Sequence, residues 1–410
     1  MQVEIKDINF NGDGYGFDNG KKIIIPKTAV GDIVEYSIKK TTKDCIYGKI
    51  EKIITPSNDR ISCLCCPIYD KCGGCNLLHL TDNSYENFKK RIIENSLKRS
   101  GYNLKYDLIS TGFYSRRRVV FKVENNKLGF FEKNSNNLVE VKSCPLIEKE
   151  INDLIPVLET IIKKIYIKEI AITKYDNGFG ICFELKKTPT LKENDLLKEF
   201  VLSNENIILV SYKIEKEEPY LFFQKFAPIV DFGDGIIAEL ETEIFLQATK
   251  IGQEAITKIV VNHLKNCKKV LDLYCGIGTY TFPLSKYTIV HSIEGSQRMI
   301  DILNKNIGNN NLFSKITAEC KNLVSAPLLK DELNEYDGIV INPPRNGALA
   351  QCKQIAKSGV KKIVMVSCNP QTFSVDAEEL KNAGYKMLSI TGIDQFFKTQ
   401  HLEVVATFEK

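Results

Sequence analysis

The sequence predicts an α/β chain: a parallel sheet with helical crossovers at its end, preceded by a small β-barrel and a mixed α+β segment. Three observations predict this. Residues 1–55 show short apolar alternations (Val3-Glu4-Ile5, Ile33 to Ile38) punctuated by Gly and Asp, as five short strands of an OB-like barrel would require. Residues 102–235 mix strand and helix patterns. From about Ile244, apolar runs alternate with helical stretches, the pattern of a parallel sheet.

A length of 410 residues suggests two or three domains. With 43% hydrophobic and 26% charged residues, the chain is neither disordered nor short of core material. No apolar run reaches the ~18–20 residues of a membrane helix, so no membrane partner is expected. MQVEIKDINF has no basic-then-apolar export pattern. Thirteen cysteines in such a chain point to ligation or catalysis rather than disulfides, and to a cytoplasmic protein.

Charge is concentrated. Between Glu86 and Lys133 there are 12 Lys and Arg against five Asp and Glu, while the whole chain carries only +5. This is the footprint of a polyanion-binding surface, or of a solvated helix face.

The Gly12-Asp13-Gly14-Tyr15-Gly16 run reads as a turn, since no helix pattern follows it. Asn83 to Ser100 reads as a helix capped by Asn83 or Ser84, with Phe88, Ile92, Ile93 and Leu97 on one face and Gly101 ending it. Strands are expected at Val119–Val123, Ile170–Thr173 and Phe179–Leu185, and helices at Ile147–Lys164 and Glu193–Leu202. The last segment predicts strands Val270–Leu273, Ile289–Ile293, Gly338–Ile341 and Lys362–Val366. Helices follow at Arg298–Ile307 and Thr372–Ala383, then an antiparallel pair at Met387–Thr391 and Glu403–Phe408.

Five motifs carry chemistry. Val270-Leu-Asp-Leu-Tyr-Cys-Gly-Ile-Gly runs a strand into a Gly-x-Gly turn, and Glu294 ends the next strand, where a carboxylate can accept both hydroxyls of a ribose. Thr281 stands where a dinucleotide fingerprint has its third glycine, which favours S-adenosylmethionine over NAD. Asn342-Pro-Pro-Arg345 is a stiff loop at a strand tip; Arg345 in place of an aromatic residue argues against amine methylation. Cys368, in Ser-Cys-Asn-Pro, ends a core strand in the crevice where such sheets bind ligands, which makes it a candidate nucleophile as well as a candidate small hydrophobe. In the tail, His401-Leu402-Glu403 offers a carboxylate that position alone does not distinguish from a surface residue. Finally, Cys63-Leu-Cys65-Cys66 and Cys72-Gly-Gly-Cys75 crowd five thiols together. Their spacing is tighter than that of paired zinc knuckles and suits an iron–sulfur cluster with a remote ligand, zinc remaining the alternative. Cys144, followed by Pro like Cys66, is the remote candidate.

Together these residues resemble the RNA uracil-C5 methyltransferases, which make 5-methyluridine in ribosomal RNA and tRNA, and the resemblance spans essentially the whole chain. It implies a Rossmann-like methyltransferase domain over 237–410, a TRAM-like RNA-binding barrel over 1–56, and an iron–sulfur-bearing RNA-recognition domain over 57–236 whose helix 83–100 can pack on the catalytic domain. It implies S-adenosylmethionine bound by Gln247, Tyr274, Glu294, Asn322 and Asn342. Cys368 would be the nucleophile and Glu403 the general base. Cys66, Cys72, Cys75 and Cys144 would ligate a [4Fe–4S] cluster, Cys63 and Cys65 being dispensable. The implied partner is an RNA substrate, 23S rRNA or alternatively tRNA, met by a monomer. Phe113 or Tyr114, beside Arg116-Arg117-Arg118, would stack on bases. One position departs: the family usually has Asp where this chain has Asn342, which keeps one acceptor oxygen and loses the charge. Activity should survive if that residue only hydrogen-bonds. Cytosine methylation is the rival chemistry, but the Asn-Pro-Pro-Arg loop lacks the second Cys it needs. A radical enzyme would need a Cys-x₃-Cys-x₂-Cys spacing that is absent. An RNA-binding iron–sulfur protein without catalysis is the rival of another class.

Overall fold

The first 55 residues fold into a curled six-stranded sheet rather than one of five strands; its order is Gln2–Glu4, Ile33–Thr41, Cys45–Thr55, Lys21–Pro26, Asp13–Asp18, Asp7–Ile8. The computed structural model describes residues 1–62, 64–215 and 217–410. In the glycine-rich run only Gly12 turns the chain, at φ +78°; Gly14 and Gly16 lie inside a strand. A Cβ on Gly14 would stand 2.1 Å from the Thr28 Oγ1, and one on Gly16 2.2 Å from the Glu4 carbonyl oxygen. These two glycines therefore let neighbouring segments touch inside a tight curl.

A seven-stranded sheet follows, ordered Leu138–Glu140, Lys127–Phe131, Arg118–Glu124, Ile167–Tyr175, Gly178–Leu185, Ile207–Ile214, Tyr220–Gln224. The helices Lys149–Ile161 and Leu191–Leu202 bury Leu154, Ile155, Leu158, Leu197 and Val201 against it. The second starts at a capping box, in which Thr190 and Glu193 satisfy each other's backbone N–H.

The third sheet has eight strands, in the order Ile316–Cys320, Ile289–Glu294, Lys269–Leu273, Gly338–Ile341, Lys362–Ser367, Glu403–Glu409, Lys386–Asp394, Asp107–Ser110. The first five are parallel, and Glu403–Glu409 runs antiparallel to both neighbours. The expected strands and helices of this segment are all present within a few residues, the helices as Gln297–Asn309 and Pro370–Asn382.

The last strand of that sheet comes from far upstream. Asp107–Ser110 pairs in parallel with Lys386–Asp394, and the preceding helix, Asp82–Ser100, packs on Pro370–Asn382. Residues 82–110, which the sequence groups with the central segment, thus complete the C-terminal sheet. This bridging helix is capped by Thr81, whose side chain accepts from Ser84 N, rather than by Asn83 or Ser84, and Gly101 ends it at φ +73°. Phe88, Ile92, Ile93 and Leu97 form its buried face, as their spacing predicts.

Lys89, on the same face, is fully buried and meets Asp394 at 2.8 Å. Tyr85 Oη donates to the other oxygen of Asp394 at 2.6 Å, and the Lys89 ammonium also donates to the His401 carbonyl. A charge buried this deeply is tolerable only while paired. Lys89→Ala should therefore lower unfolding stability by about 3 kcal/mol or more, leaving Asp394 uncompensated. Lys90→Ala, an exposed i,i+4 partner of Glu86, should cost about 0.5 kcal/mol or less. Denaturant melts of the two variants check this; equal losses would contradict it.

Candidate active site

The chain order of the eight-stranded sheet reverses beside Lys269–Leu273, between Ile289–Glu294 and Gly338–Ile341. A crevice opens there at the carboxyl ends of the strands, where doubly wound sheets hold ligands. The tip residues line one cavity of about 1330 Å³, which includes Gln247, Tyr274, Gly276, Glu294, Asn322, Asn342, Cys368 and Glu403.

Beyond Leu273 the backbone turns through left-handed conformations at Tyr274 (φ +60°) and Gly276 (φ +55°). For Tyr274 this costs roughly 1–2 kcal/mol, held by the strands on either side. The Gly276 and Ser296 N–H groups donate to the two oxygens of Glu294 at 3.1 and 3.0 Å. Each oxygen keeps a free lone pair, so the carboxylate is fixed in place and still able to accept a diol. Asn322 faces the same cavity, with its Oδ1 accepting from Val324 N at 3.0 Å. Asn342 follows strand Gly338–Ile341; its N–H donates to Leu273 O, and its side chain has no hydrogen-bond partner among the described residues. The donor set thus fits a nucleoside ligand.

Cys368 and Glu403 are brought together by register. Strands Lys362–Ser367 and Glu403–Glu409 pair antiparallel with Ser367 opposite Val404, so the next step outward sets Cys368 opposite Glu403. Cys368 sits at a sharp strand-to-helix corner. Asn369 caps helix Pro370–Asn382 through Gln371 N and donates to the Arg345 carbonyl at 2.9 Å, tying this corner to the Asn-Pro-Pro-Arg loop. Burial pushes the half-buried Cys368 thiol up, and the Glu403 carboxylate adds to this; Arg345, which hydrogen-bonds the thiol, opposes both.

Glu403 is 3% exposed. Burial pushes its carboxyl up to about 7, against a hydrogen bond from Gln395 Nε2 at 3.0 Å. The same nitrogen donates to Gln247 Oε1 at 2.8 Å, and Gln247 Nε2 reaches Tyr280 Oη at 3.4 Å. Gln395 and Tyr280 are parts of the site that the sequence reading missed; the signal lay in the Asp394-Gln395 pair that ends an apolar strand.

At the far end of the same cavity stand Cys66, Cys72, Cys75 and Cys144. Burial pushes the Cys75 thiol up, and the nearby Cys72, Cys144 and Cys66 push it the same way, with Lys27 opposing them. The Gly74 N–H donates to Cys72 Sγ at 3.3 Å. Gly73 is required because a Cβ would lie 2.8 Å from the Phe131 carbonyl oxygen. Asn152 clamps the Cys144 peptide from both sides, at 2.7 and 3.0 Å. Lys27 Nζ donates to the carbonyls of Tyr69, Asp70 and Cys72. Among the described residues no three His, Cys, Asp or Glu side chains converge on one metal ion. Cys63 lies outside the described residues.

The basic triplet divides. Arg117 is 3% exposed and donates to Gln247 O and Gln253 Oε1, so it is structural and not a phosphate contact. Arg116 and Arg118 line the cavity, their guanidinium groups 5.9 Å from the ring of Phe396 and 5.5 Å from that of Phe245. Phe113 and Tyr114 remain exposed.

A doubly wound sheet with a nucleoside-ready crevice, flanked by a thiol and a carboxylate, defines the class of S-adenosylmethionine-dependent methyltransferases. Comparison with known proteins narrows it. Residues 235–410 match the tRNA (uracil-5-)-methyltransferase family. The chain is 32% identical over 422 residues to an uncharacterized RNA methyltransferase of Agrobacterium fabrum, covering 100% of this chain and 99% of that one. It is 28% identical over 435 residues to the 23S rRNA (uracil(1939)-C(5))-methyltransferase RlmD of Shewanella halifaxensis, covering 100% and 95%. In fold it resembles the crystal structure of Pyrococcus abyssi tRNA (uracil-54, C5)-methyltransferase with S-adenosyl-L-homocysteine, at a TM-score of 0.78 and 20% identity over 100% of both chains. The chain belongs to the RNA methyltransferases, with a tRNA (uracil-5-)-methyltransferase domain over residues 235–410, and it is an S-adenosylmethionine-dependent enzyme.

The state of Glu403 has a measurable consequence. Its carboxyl titrates higher in the folded chain than the ordinary 4.5, so the stability linked to this group is fully present below about 4.5 and is lost as pH rises through about 7. Glu403→Gln removes the buried charge. The variant should exceed wild type in stability by roughly 3 kcal/mol at pH 8, with the gap closing below about pH 5. Thermal melts across that range check it; a gap independent of pH would contradict the assignment.

Proposed function

We propose that this protein methylates C5 of a uridine in RNA, through a covalent bond between Cys368 and C6 of the base. The observation that carries this reading is the register that sets Cys368 opposite Glu403 at the mouth of the nucleoside crevice.

Uracil C5 is too weak a nucleophile to take a methyl group directly. Addition of the Cys368 thiolate to C6 shifts electron density to C5, splitting one hard step into easier ones. S-adenosylmethionine supplies the methyl group. Glu403 then takes the C5 proton, and the C6–S bond breaks as the electron pair returns to form C5=C6, releasing Cys368. A carboxyl titrating near 7 suits this, since about half of it is ionised at neutral pH and the ionised form is basic enough to accept a proton. Arg345 favours the thiolate. Gln247, Tyr274, Glu294, Asn322 and Asn342 hold the cofactor, with Asn342 acting as a neutral acceptor that does not need the family's charge. The base must leave its stack, at roughly a few kcal/mol. The N-terminal barrel (1–56), read as TRAM-like, and the central segment (57–236) offset that by gripping the RNA around it.

Between RNA targets, 23S rRNA is favoured, because two relatives that match over nearly the whole chain, at 28% and 27% identity, are 23S rRNA enzymes. The test is to incubate pure enzyme with ribosomal RNA and tRNA from a strain lacking it, then digest and quantify 5-methyluridine. A gain in 23S rRNA is expected, abolished in Cys368→Ala with cofactor binding intact. A gain in tRNA would redirect the target; methylation of another base or atom would contradict the reading.

We propose further that Cys66, Cys72, Cys75 and Cys144 ligate a [4Fe–4S] cluster with a structural role, since the transfer is redox-neutral. Anaerobically purified protein should contain about four irons and acid-labile sulfide per chain, with Cys144→Ser lowering both. One zinc and no iron would contradict it.

A further inference from the structure

A second cavity, of about 280 Å³, meets the large one at the nucleophile. The two share Cys368, Arg345, Gln400 and His401 in their walls. The remaining walls of the smaller cavity come from three places: the first turn of the N-terminal barrel, the bridging helix, and the start of helix Pro370–Asn382. No Asp or Glu lines it, while Arg99 and Arg345 bring two positive charges. Its size is near the lower end for small-molecule pockets, enough for a single nucleotide unit and not for a folded RNA element.

We propose that this cavity is a subsite for the nucleotide next to the target uridine, with Phe10 stacking on its base and Arg99 facing its phosphate. The proposal rests on the RNA reading above. A target base drawn into the large cavity against Cys368 leaves its chain neighbour one sugar–phosphate step away, and the small cavity is the chamber that Cys368 borders on its other side.

Phe10 is 46% exposed at the tip of the turn Asn9–Gly12. The turn is rigid. Asn9 Oδ1 accepts from Asn11 N at 2.8 Å and from Asp13 N at 3.1 Å. Gly12 is at φ +78°, and a Cβ there would lie 2.5 Å from Asn76 Nδ2, which itself donates to the Asn11 carbonyl at 2.7 Å. From below, Arg91 of the bridging helix donates to Asp7 Oδ1 and Ile8 O, each at 2.5 Å. The turn that carries the phenyl ring at the cavity is thus held by five side-chain hydrogen bonds, at the cost of leaving an apolar face in water. Arg99, one helical turn and more beyond Asn95 on the same helix, is exposed and forms no ion pair among the described residues. An aromatic face, a guanidinium group free of any ion pair among the described residues and an absence of carboxylates are the chemistry that holds single-stranded RNA, since every base has a π-face to stack.

The test uses a short hairpin cut from whichever RNA the enzyme methylates, with 5-fluorouridine at the target so that the adduct on Cys368 fixes the register. Three versions are made: intact flanks, an abasic residue on the 5′ side, and one on the 3′ side. The rate of adduct formation is followed on denaturing gels against RNA concentration. Phe10→Ala should raise the half-saturating RNA concentration about ten-fold or more on the intact hairpin. Phe10→Trp should restore it, and Phe17→Ala, an exposed aromatic of the same barrel outside the cavity, should leave it unchanged. One of the two abasic hairpins should show the same weakening with wild type, and on that hairpin Phe10→Ala should add nothing. No loss in Phe10→Ala, or an equal further loss on both abasic hairpins, would overturn the subsite. If wild type methylates the unfluorinated hairpin yet forms no adduct, the covalent chemistry falls instead, and the same comparison made on methylation kinetics decides the subsite.

Discussion

A buried lysine held against a buried aspartate organises the catalytic end of this molecule. Lys89 comes from a helix before the central sheet, and Asp394 from the end of a strand in the last one, yet they meet at 2.8 Å with no access to water. The pair fixes the segment between the last two strands, because Tyr85 reaches both Asp394 and the Lys398 N–H, and Lys89 also holds the His401 carbonyl. That segment begins with Gln395 and leads into Glu403, two of the groups that line the large cavity. An unpaired charge at this depth would cost several kcal/mol, so the helix and the loop form together or not at all.

The cysteine loop supports the same segment from the other side. The Asn76 and Leu77 N–H groups both donate to Lys398 O, at 3.3 and 3.0 Å, while the Asn76 side chain holds the barrel turn. Lys27, from the barrel, holds the loop's carbonyls in return. Barrel, cysteine loop and catalytic segment are therefore joined by a short chain of hydrogen bonds. Whatever rigidifies the cysteine loop therefore also bears on the turn that carries Phe10 on one side and on the Gln395–Glu403 segment on the other, which is the structural role proposed for the cluster.

The C-terminal sheet was legible because its strands are short apolar runs bounded by Gly, Pro and polar tips, a pattern in which local propensity and tertiary burial agree. Its chemistry was legible where it sits at those tips: Glu294, Asn342 and Cys368 all follow strands the sequence predicts. Three things were hidden. Gly14 and Gly16 read as turn residues because a glycine required by close approach looks, in sequence, like one required by a turn. Arg117 counted toward the basic stretch read as a polyanion-binding surface because sequence shows a charge and not its burial. The edge strand Asp107–Ser110, and with it the ion pair of Lys89 with Asp394, depends on pairing across almost 300 residues, which no local pattern encodes.

The account stands or falls on the order in which Cys368 and Glu403 act. A register pair can put a thiol and a carboxylate together for structural reasons alone. Only in a base-catalysed elimination does loss of the carboxylate trap the thiol on its substrate after the methyl group has moved. The direct measurement is intact-mass analysis of Glu403→Gln after incubation with ordinary RNA and S-adenosylmethionine, followed by peptide mapping. The predicted result is a covalent complex in which a methylated uracil is bonded to Cys368. Turnover by Glu403→Gln at the wild-type rate, with no complex, would contradict it.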